Sequence, residues 1–355
     1  MIKLKQLRYS KVSMEITNRC NFGCIWCPSS LGEVKDKQMT KEEAFRVIDE
    51  LSKCGGSELD YLELNVLGEP LMHPDFVEII QYAHSHNIRV RLITNGSLLS
   101  SQNIESILDC HPEILKISLE SLDENNFHFI RKTRLNMDKY ISNIVNLIKC
   151  RIEYADKIPT RVQIDILYIS NFYFRKLIGA LPNEPALKYI YSNKKRLLTN
   201  MLYFLHKLYN NDFSTKDVYR NLSCNFRRIK RGNFSNNEPL YKISDNIIIT
   251  LKEYYPWISI KNKYPIDKNT FCMVDKMGIL ADGRIVLCCL DYQGQTEIGN
   301  IFNDRLEDVL SAAKEKIDAL RRGKAAFAIC KNCQGCFSKR HRILKKLKFR
   351  FKANT

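Results

Sequence analysis

Three cysteines stand within eight positions of this 355-residue chain, in the stretch EITNRCNFGCIWCP at residues 15–28. They are Cys20, Cys24 and Cys27, with Trp26 just before the last. Three thiolates on one loop suit a metal. Structural zinc takes four protein ligands, usually in pairs on separated hairpins, and no histidine lies near this loop. An iron–sulfur cubane accommodates three cysteines and leaves one iron without a protein ligand. A zinc loop is the competing reading. Six further cysteines come late, at 272, 288, 289, 330, 333 and 336. Gly283, in Ala281-Asp282-Gly283-Arg284, reads as a hairpin turn that sets Cys272 and Cys288 on adjacent strands. Four well-spaced thiols there fit a second cubane or a zinc ribbon. Cys54, Cys110, Cys150 and Cys224 are scattered singly and read as small buried hydrophobes.

The elements that position these residues follow from periodicity. Val12 to Thr17 reads as a strand entering the first cysteine loop. Thr40 to Glu43 is a capping box, followed by Phe45, Ile48 and Leu51 at helical spacing. Tyr61 to Val66 is strand-like. Pro74 suits a first helical turn, and Phe76, Ile79, Ile80 and Ala83 mark one face of a helix. Ile88 to Thr94 is a strand ending in Asn95-Gly96, and a polar helix covers 101–109. Ile114 to Leu119 and Arg161 to Ile169 are strands, separated by a helical stripe of Ile141, Ile144, Val145 and Ile148. Leu187 to Tyr191 is a candidate sixth strand. Alternation of this kind implies parallel βα units closing all or part of a barrel. Chemistry in such barrels sits at the C-terminal strand ends. Here those ends carry Asn18-Arg19-Cys20, Gly68-Glu69-Pro70, Thr94-Asn95-Gly96 and Ser118 to Glu120. Residues 192–265 break the pattern, with a helix expected at 196–209 and a strand at Ile243 to Thr250.

The Cys-x3-Cys-x2-Cys spacing with its aromatic resembles the radical S-adenosylmethionine enzymes. The family implies an α/β fold, here a partial parallel (β/α)6 barrel over residues 8–191. It also implies a [4Fe–4S] cluster on Cys20, Cys24 and Cys27 whose open iron is chelated by S-adenosylmethionine. One electron then breaks the sulfonium bond, and a 5′-deoxyadenosyl radical takes a hydrogen atom from an unreactive C–H bond. Leu67-Gly68-Glu69-Pro70 matches the family's Gly-Gly-Glu-Pro element with leucine at the first position. By that resemblance Trp26, Gly68, Glu69, Asn95, Ser118 and Arg131 touch the cofactor. Glu69 would accept from its ammonium. Ser118 and Arg131 would meet its carboxylate, with Lys132 and Arg134 as neighbours of Arg131, and Asn95 would reach the ribose. Glu120 stands where many members carry aspartate.

The late cysteines are similar to the SPASM extension of the family in its shorter twitch form, over residues 266–338. The resemblance implies one auxiliary [4Fe–4S] cluster on Cys272, Cys288, Cys330 and Cys333, with Cys336 as the alternative last ligand. Adjacent cysteines rarely both reach one cubane, so Cys289 reads as a spare. Either Cys289 or Cys336, if not a ligand, would serve an epimerase as hydrogen donor. Twitch members act on sugar-like cyclitols and aminoglycosides, or in molybdenum cofactor synthesis. The molybdenum cyclase ends in a double glycine, whereas this chain ends Lys352-Ala-Asn-Thr355, which sets that reading aside. Peptide-modifying members commonly carry an upstream recognition domain, and the cysteine loop begins here at residue 20.

Composition bounds the rest. Apolar residues make up 45% and charged residues 27%, which suits a packed core. No apolar run reaches the length of a membrane span, and the basic N-terminus lacks a signal-peptide core, so a cytoplasmic location is expected. The net charge is +17, and an anionic partner or a solvated face both account for it. One basic knot is Arg227, Arg228, Lys230 and Arg231. The tail 339–355 is a basic amphipathic helix with Ile343, Leu344, Leu347 and Phe351 on one face, which suits an anionic membrane surface or a docked helix. The expected function is hydrogen abstraction from a carbohydrate-type substrate, giving dehydrogenation or epimerisation. Modification of a peptide or protein is the alternative. A non-catalytic iron–sulfur or zinc protein that binds nucleic acid is the third reading and the least favoured. The family resemblance implies an electron donor such as flavodoxin or ferredoxin.

Overall fold

A computed structural model describes residues 3–4, 6–7, 9–154, 157–168, 190, 193–232, 239–253, 276–288, 290–321 and 325–332. The first half alternates strand and helix as the periodicity requires. The order is β1 (Lys11–Met14), α1 (Lys41–Lys53), β2 (Tyr61–Leu64), α2 (Phe76–Ser85), β3 (Val90–Thr94) and α3 (Ser101–Asp109). Then come β4 (Ile114–Glu120), α4 (Glu124–Arg131), α5 (Met137–Glu153) and β5 (Arg161–Tyr168). After these lie α6 (Lys194–Tyr209), α7 (Thr215–Gly232), β6 (Pro239–Ser244) and β7 (Ile247–Glu253). The C-terminal part holds β8 (Lys276–Ile279), β9 (Arg284–Val286), β10 (Glu297–Asn300), α8 (Leu306–Ala312) and α9 (Lys314–Arg321).

Local chemistry sets several of these boundaries. Glu43 N donates to Thr40 Oγ1 at 3.1 Å while Thr40 N donates to Glu43 Oε2 at 2.8 Å, so the capping box opens α1. Asp123 and Asn136 cap α4 and α5 in the same way, each accepting from a backbone N–H three residues on. Pro74 precedes the helix rather than opening it, because Asp75 is the N-cap of α2. The expected single strand at Ile243 to Thr250 is instead a hairpin, β6 and β7, turning at Asp245-Asn246. Asp and Asn side chains bond their own backbone in turns, and here they end the run.

Among the described residues one sheet of ten strands results, in the order β10-β9-β8-β1-β2-β3-β4-β5-β7-β6. From β8 through β7 every neighbouring pair is parallel, and antiparallel strands flank both edges. The strand beside β5 is therefore β7. The candidate at 187–191 lies, apart from Ile190, outside the described residues. The α/β class and the open, mostly parallel barrel are as the sequence indicates.

Strand side chains alternate between faces, and the two faces of this sheet differ sharply. Val12, Leu62, Leu92, Ile117, Ile164 and Ile249 share one face and are at most 1% exposed. They pack on the helices, each contributing on the order of 1.5–3 kcal/mol. The other face carries Ser13, Glu63, Arg91, Lys116, Asp165 and Thr250.

Beyond β7 the chain returns to the first half. β8 pairs with β1, and Glu50 of α1 accepts from Leu306 N at the start of α8 at 2.9 Å. Gly283 lies at φ +83° in the β8–β9 turn, the hairpin that the sequence suggests. A Cβ there would stand 2.4 Å from Asn300 Oδ1. Among the lone cysteines Cys54 and Cys110 are buried, whereas Cys224 is exposed. Leu222, Phe226 and Ile229 turn inward from α7, and Cys224 lies off that stripe. Arg227 and Arg228 are on the same exposed side, as a solvated basic face requires. The tail 339–355 lies outside the described residues.

Candidate functional site

The first cysteine loop leaves β1 and is pinned at several points. Asn18 clamps it from within, accepting from Lys37 N at 2.7 Å and donating to Lys35 O at 2.9 Å. Gly23 N and Ile25 N donate to the carbonyls of Arg131 and Ile130, both at 3.0 Å. The end of α4 thus becomes the wall of the loop. Cys24 is buried, and Cys20, Trp26 and Cys27 are half-buried against the core. Arg131 Nη1 donates to Cys24 Sγ at 3.3 Å, and Asn95 Nδ2 to Cys20 Sγ at 3.7 Å. Burial pushes the Cys20 thiol up to about 11 and raises Cys27 as well. Metal loading must therefore displace protons from these thiols.

The donor set fits an iron–sulfur cluster. Its three sulfurs lie on one pinned loop, and two receive N–H donors, the contacts that tune such clusters. Among the described residues no group of three His, Cys, Asp or Glu side chains is gathered closely enough for a single ion. A cubane spreads its ligands wider than one ion does.

Glu69 is fully buried beside this loop. Its Oε1 accepts from Thr94 Oγ1 at 2.7 Å and Leu71 N at 3.1 Å, and its Oε2 from Asn95 N at 2.6 Å. A carboxylate has about four acceptor positions, so Oε2 keeps one. Burial raises the Glu69 carboxyl above its ordinary range. Gly68 sits at φ +78°, and a Cβ on it would lie 2.1 Å from Thr17 O. Gly68→Ala is therefore expected to destabilise the fold by about 2 kcal/mol or more, read as a lower midpoint in urea unfolding.

Leu67, where the family has glycine, finds its reason in packing. It clusters with Val66, Leu280, Val286 and Tyr292, and Cys27 borders the group. The leucine joins the loop after β2 to the C-terminal hairpin.

Arg131 is buried while Lys132 and Arg134 are exposed, which singles it out of the three basic residues. Its guanidinium lies 5.3 Å from the Phe22 ring centroid and 4.0 Å from Glu120, and it also donates to Ser118 O. Burial alone would lower it, but Cys24 and Glu120 hold it raised. Glu120 adopts φ +67° at a register shift between β4 and β5, a conformation costly for a residue with a Cβ. Ser118, half-buried, meets Arg131 through its carbonyl. Cys20, Asn95 and Glu69 thus share one hydrogen-bonded group, and Cys24, Arg131 and Ser118 another.

Of the late cysteines, Cys288 follows β9 and is half-buried, and its carbonyl accepts from Asp291 N at 2.9 Å. Cys330 is half-buried in the turn Ala328–Asn332, its N–H on Phe327 O at 3.1 Å. Cys272, Cys289, Cys333 and Cys336 lie outside the described residues.

Two features escape the motif reading. The first is the Lys116 and Asp165 ion pair at 2.8 Å on the inner face, with Thr250 Oγ1 and Gln163 Nε2 donating to Asp165 at 2.6 and 2.8 Å. Burial lowers Lys116 below its ordinary range, whereas Lys116 and Lys252 together hold Asp165 low against burial. The alternation Lys116, Ser118, Glu120 was its visible signal. The second is Glu15, buried beneath the loop after β2, which accepts from Leu67 N at 2.9 Å and Ala281 N at 3.3 Å. Burial pushes its carboxyl from about 4.5 up to about 7. The folded state then keeps a proton that the unfolded chain releases. Stability from this group is full below pH 4.5, falls as pH rises to about 7, and is flat above it. The loss is about 3 kcal/mol. Glu15→Gln is expected to flatten that part of the curve, measured by urea unfolding at pH 5 and pH 8.

Residues 14–188 match the model of the radical SAM superfamily, and residues 271–336 match that of the SPASM iron–sulfur cluster-binding domain. The chain is 23% identical over 304 residues to a probable GTP 3′,8-cyclase of Methanocella arvoryzae, spanning 85% of this chain and 89% of that one. It is 33% identical over 85 residues to the mycofactocin maturase MftC of Mycobacterium ulcerans, 24% of this chain and 22% of the other. In fold it is similar to Streptococcus suis SuiB bound to the precursor peptide SuiA, with TM-score 0.53, 13% identity, and coverage of 96% and 75%.

Proposed function

The chain belongs to the radical SAM superfamily and carries a SPASM iron–sulfur domain, and from that premise we propose that it takes a hydrogen atom from a carbohydrate-type substrate held on the inner face of the sheet. The product would be a dehydrogenated or an epimerised sugar. One observation carries this reading. Parallel barrels ordinarily fill their interior with branched apolar side chains. This one presents Lys116, Asp165, Gln163 and Thr250, joined by hydrogen bonds and an ion pair. Such a face offers donors and acceptors to hydroxyl groups and little to an apolar substrate.

When bound, the cluster on Cys20, Cys24 and Cys27 and the S-adenosylmethionine together supply a carbon-centred radical. The chain's own residues position and shield. The remaining acceptor position of Glu69 suits the cofactor's ammonium, and the buried Arg131 suits its carboxylate. Thr94 and Asn95 keep Glu69 oriented. Trp26, Gly68, Asn95 and Ser118 complete the cofactor site in this proposal. Cys272, Cys288, Cys330 and Cys333 would hold the auxiliary cluster, which would supply a one-electron acceptor to a dehydrogenase. Cys289 or Cys336 would return hydrogen in an epimerase.

A reductant is needed in either case, and a flavodoxin or ferredoxin meets that need. Among the described residues no helix is long and apolar enough to cross a membrane; we place the enzyme in the reducing cytoplasm, where exposed thiols persist. The local likeness to a maturase supports a second reading, in which the substrate is a peptide. Anaerobic turnover in deuterated buffer with sugar nucleotides separates them. Deuterium in a recovered isomer supports epimerisation, and a new carbonyl supports oxidation. If sugars stay unchanged while a small peptide partner loses mass, the carbohydrate reading fails.

A further inference from the structure

Cations on and beside the inner face are incompletely matched. Glu63, 1% exposed, is shared by Arg91 at 2.8 Å and by Lys276. Glu120 is shared by Lys252 at 3.8 Å and Arg131 at 4.0 Å. Both of the latter distances exceed those of a charge-assisted hydrogen bond. Among the described residues of this face, Asp165 pairs closely with Lys116 and also neighbours Lys252. Among the described residues, five cations (Arg91, Lys116, Arg131, Lys252 and Lys276) stand against three carboxylates (Glu63, Glu120 and Asp165), in a setting where low-dielectric walls concentrate the field.

A second observation is independent of charge. Arg91 Nε and Arg131 Nε are buried donors and have no hydrogen-bond partner. Buried polar atoms are nearly always satisfied in native proteins. Arg91 lies on the inner face, and Arg131 borders the cysteine loop. With Arg131 assigned to the cofactor's carboxylate, the Arg91 donor and the surplus cations of the inner face call for a second ligand rich in acceptor oxygens.

We infer that the substrate is anionic, a phosphate ester or diphosphate-linked sugar, and that Lys252 meets its charge. This rests on the reading of the inner face as the substrate site. Lys252 suits the role. Its side chain is 46% exposed, so it reaches an incoming ligand, and it lies on β7 between Glu120 and Asp165. Free, nucleotide-linked and lipid-linked phosphates share this chemistry. Water-soluble probes test it directly.

The experiment is titration calorimetry on the full chain, reconstituted with iron and sulfide and kept anaerobic, with pyrophosphate, UDP-glucose and glucose as probes. Both anionic probes are expected to bind, and glucose at equal concentration is not. Lys252→Met is expected to weaken the anionic probes by about tenfold or more, and Lys252→Arg to restore most of the loss. Lys207→Met, on the exposed flank of α6, is the control for non-specific attraction and is expected to change nothing. Affinity for S-adenosylmethionine is expected to be the same in wild type and Lys252→Met. The inference falls if glucose binds as well as the anions. It also falls if the two methionine variants weaken the probes equally, or if Lys252→Met weakens only S-adenosylmethionine. Titration reads charge recognition and the deuterium experiment reads the reaction, so either can fail alone.

Discussion

Cys24→Ala is expected to drop 5′-deoxyadenosine formation to background while the fold survives. Cys24 is the buried member of the three, and the guanidinium of Arg131 donates to its sulfur. Alanine removes both a proposed cluster ligand and the partner of a buried cation. Even the groups that merely support metal ligands are worth about 10–100-fold, so loss of the ligand itself is expected to exceed that. The measurement is 5′-deoxyadenosine by chromatography after reduction with dithionite, alongside iron content. Cys54→Ala, which alters a buried cysteine of α1's flank, serves as the control and is expected to keep activity. If Cys24→Ala and Cys54→Ala behave alike, the loop does not hold the cluster.

Arg131→Met carries the second large effect. The side chain is buried, beside Cys24 Sγ, Glu120 and Ser118 O. Methionine fills much of the volume but brings no charge and no donors. Loss of a charge-assisted contact costs about 1.5–3 kcal/mol, so affinity for S-adenosylmethionine is expected to fall by about 10–100-fold. The cluster is also expected to become harder to reduce, because a cation and an N–H donor to one of its sulfurs disappear. Arg131→Lys is expected to recover part of the potential, through its charge, but less of the affinity, since lysine lacks the planar fork. A redox titration and a binding isotherm on the same variants read the two effects separately. Loss of affinity with an unchanged potential would mean that the contact to Cys24 has no role in tuning.

Much of this was legible from the sequence because it is local. The cysteine spacing, the Thr40–Glu43 capping box, the apolar stripes of α2 and α5 and the Gly283 turn each depend on residues a few positions apart, and each appears in the fold. The hairpin of β6 and β7 is hidden in the sequence because Ile243 before Asp245-Asn246 and Ile247, Ile248 and Ile249 after it read as one apolar run. The place of β7 beside β5 was equally hidden. It depends on pairing across about eighty residues, which no local pattern encodes.

Within the site the division is the same. Glu69 announced itself through its motif, but its three donors come from the next turn and from the end of β3. The choice of Arg131 over Lys132 and Arg134 was a matter of burial. Glu15 offered no signal at all, since a glutamate in a strand is ordinarily solvated and only the arrival of Leu67 and Ala281 above it makes it buried. The meaning of Leu67 became visible once the C-terminal hairpin was in place against it.

The most direct measurement is the EPR spectrum of the reduced, reconstituted protein before and after S-adenosylmethionine is added. A cluster held by Cys20, Cys24 and Cys27 with one iron left for the cofactor predicts a signal that shifts on addition and is missing in Cys24→Ala. A spectrum indifferent to S-adenosylmethionine, or a protein that takes up zinc and no iron–sulfur cluster at this loop, would contradict the account.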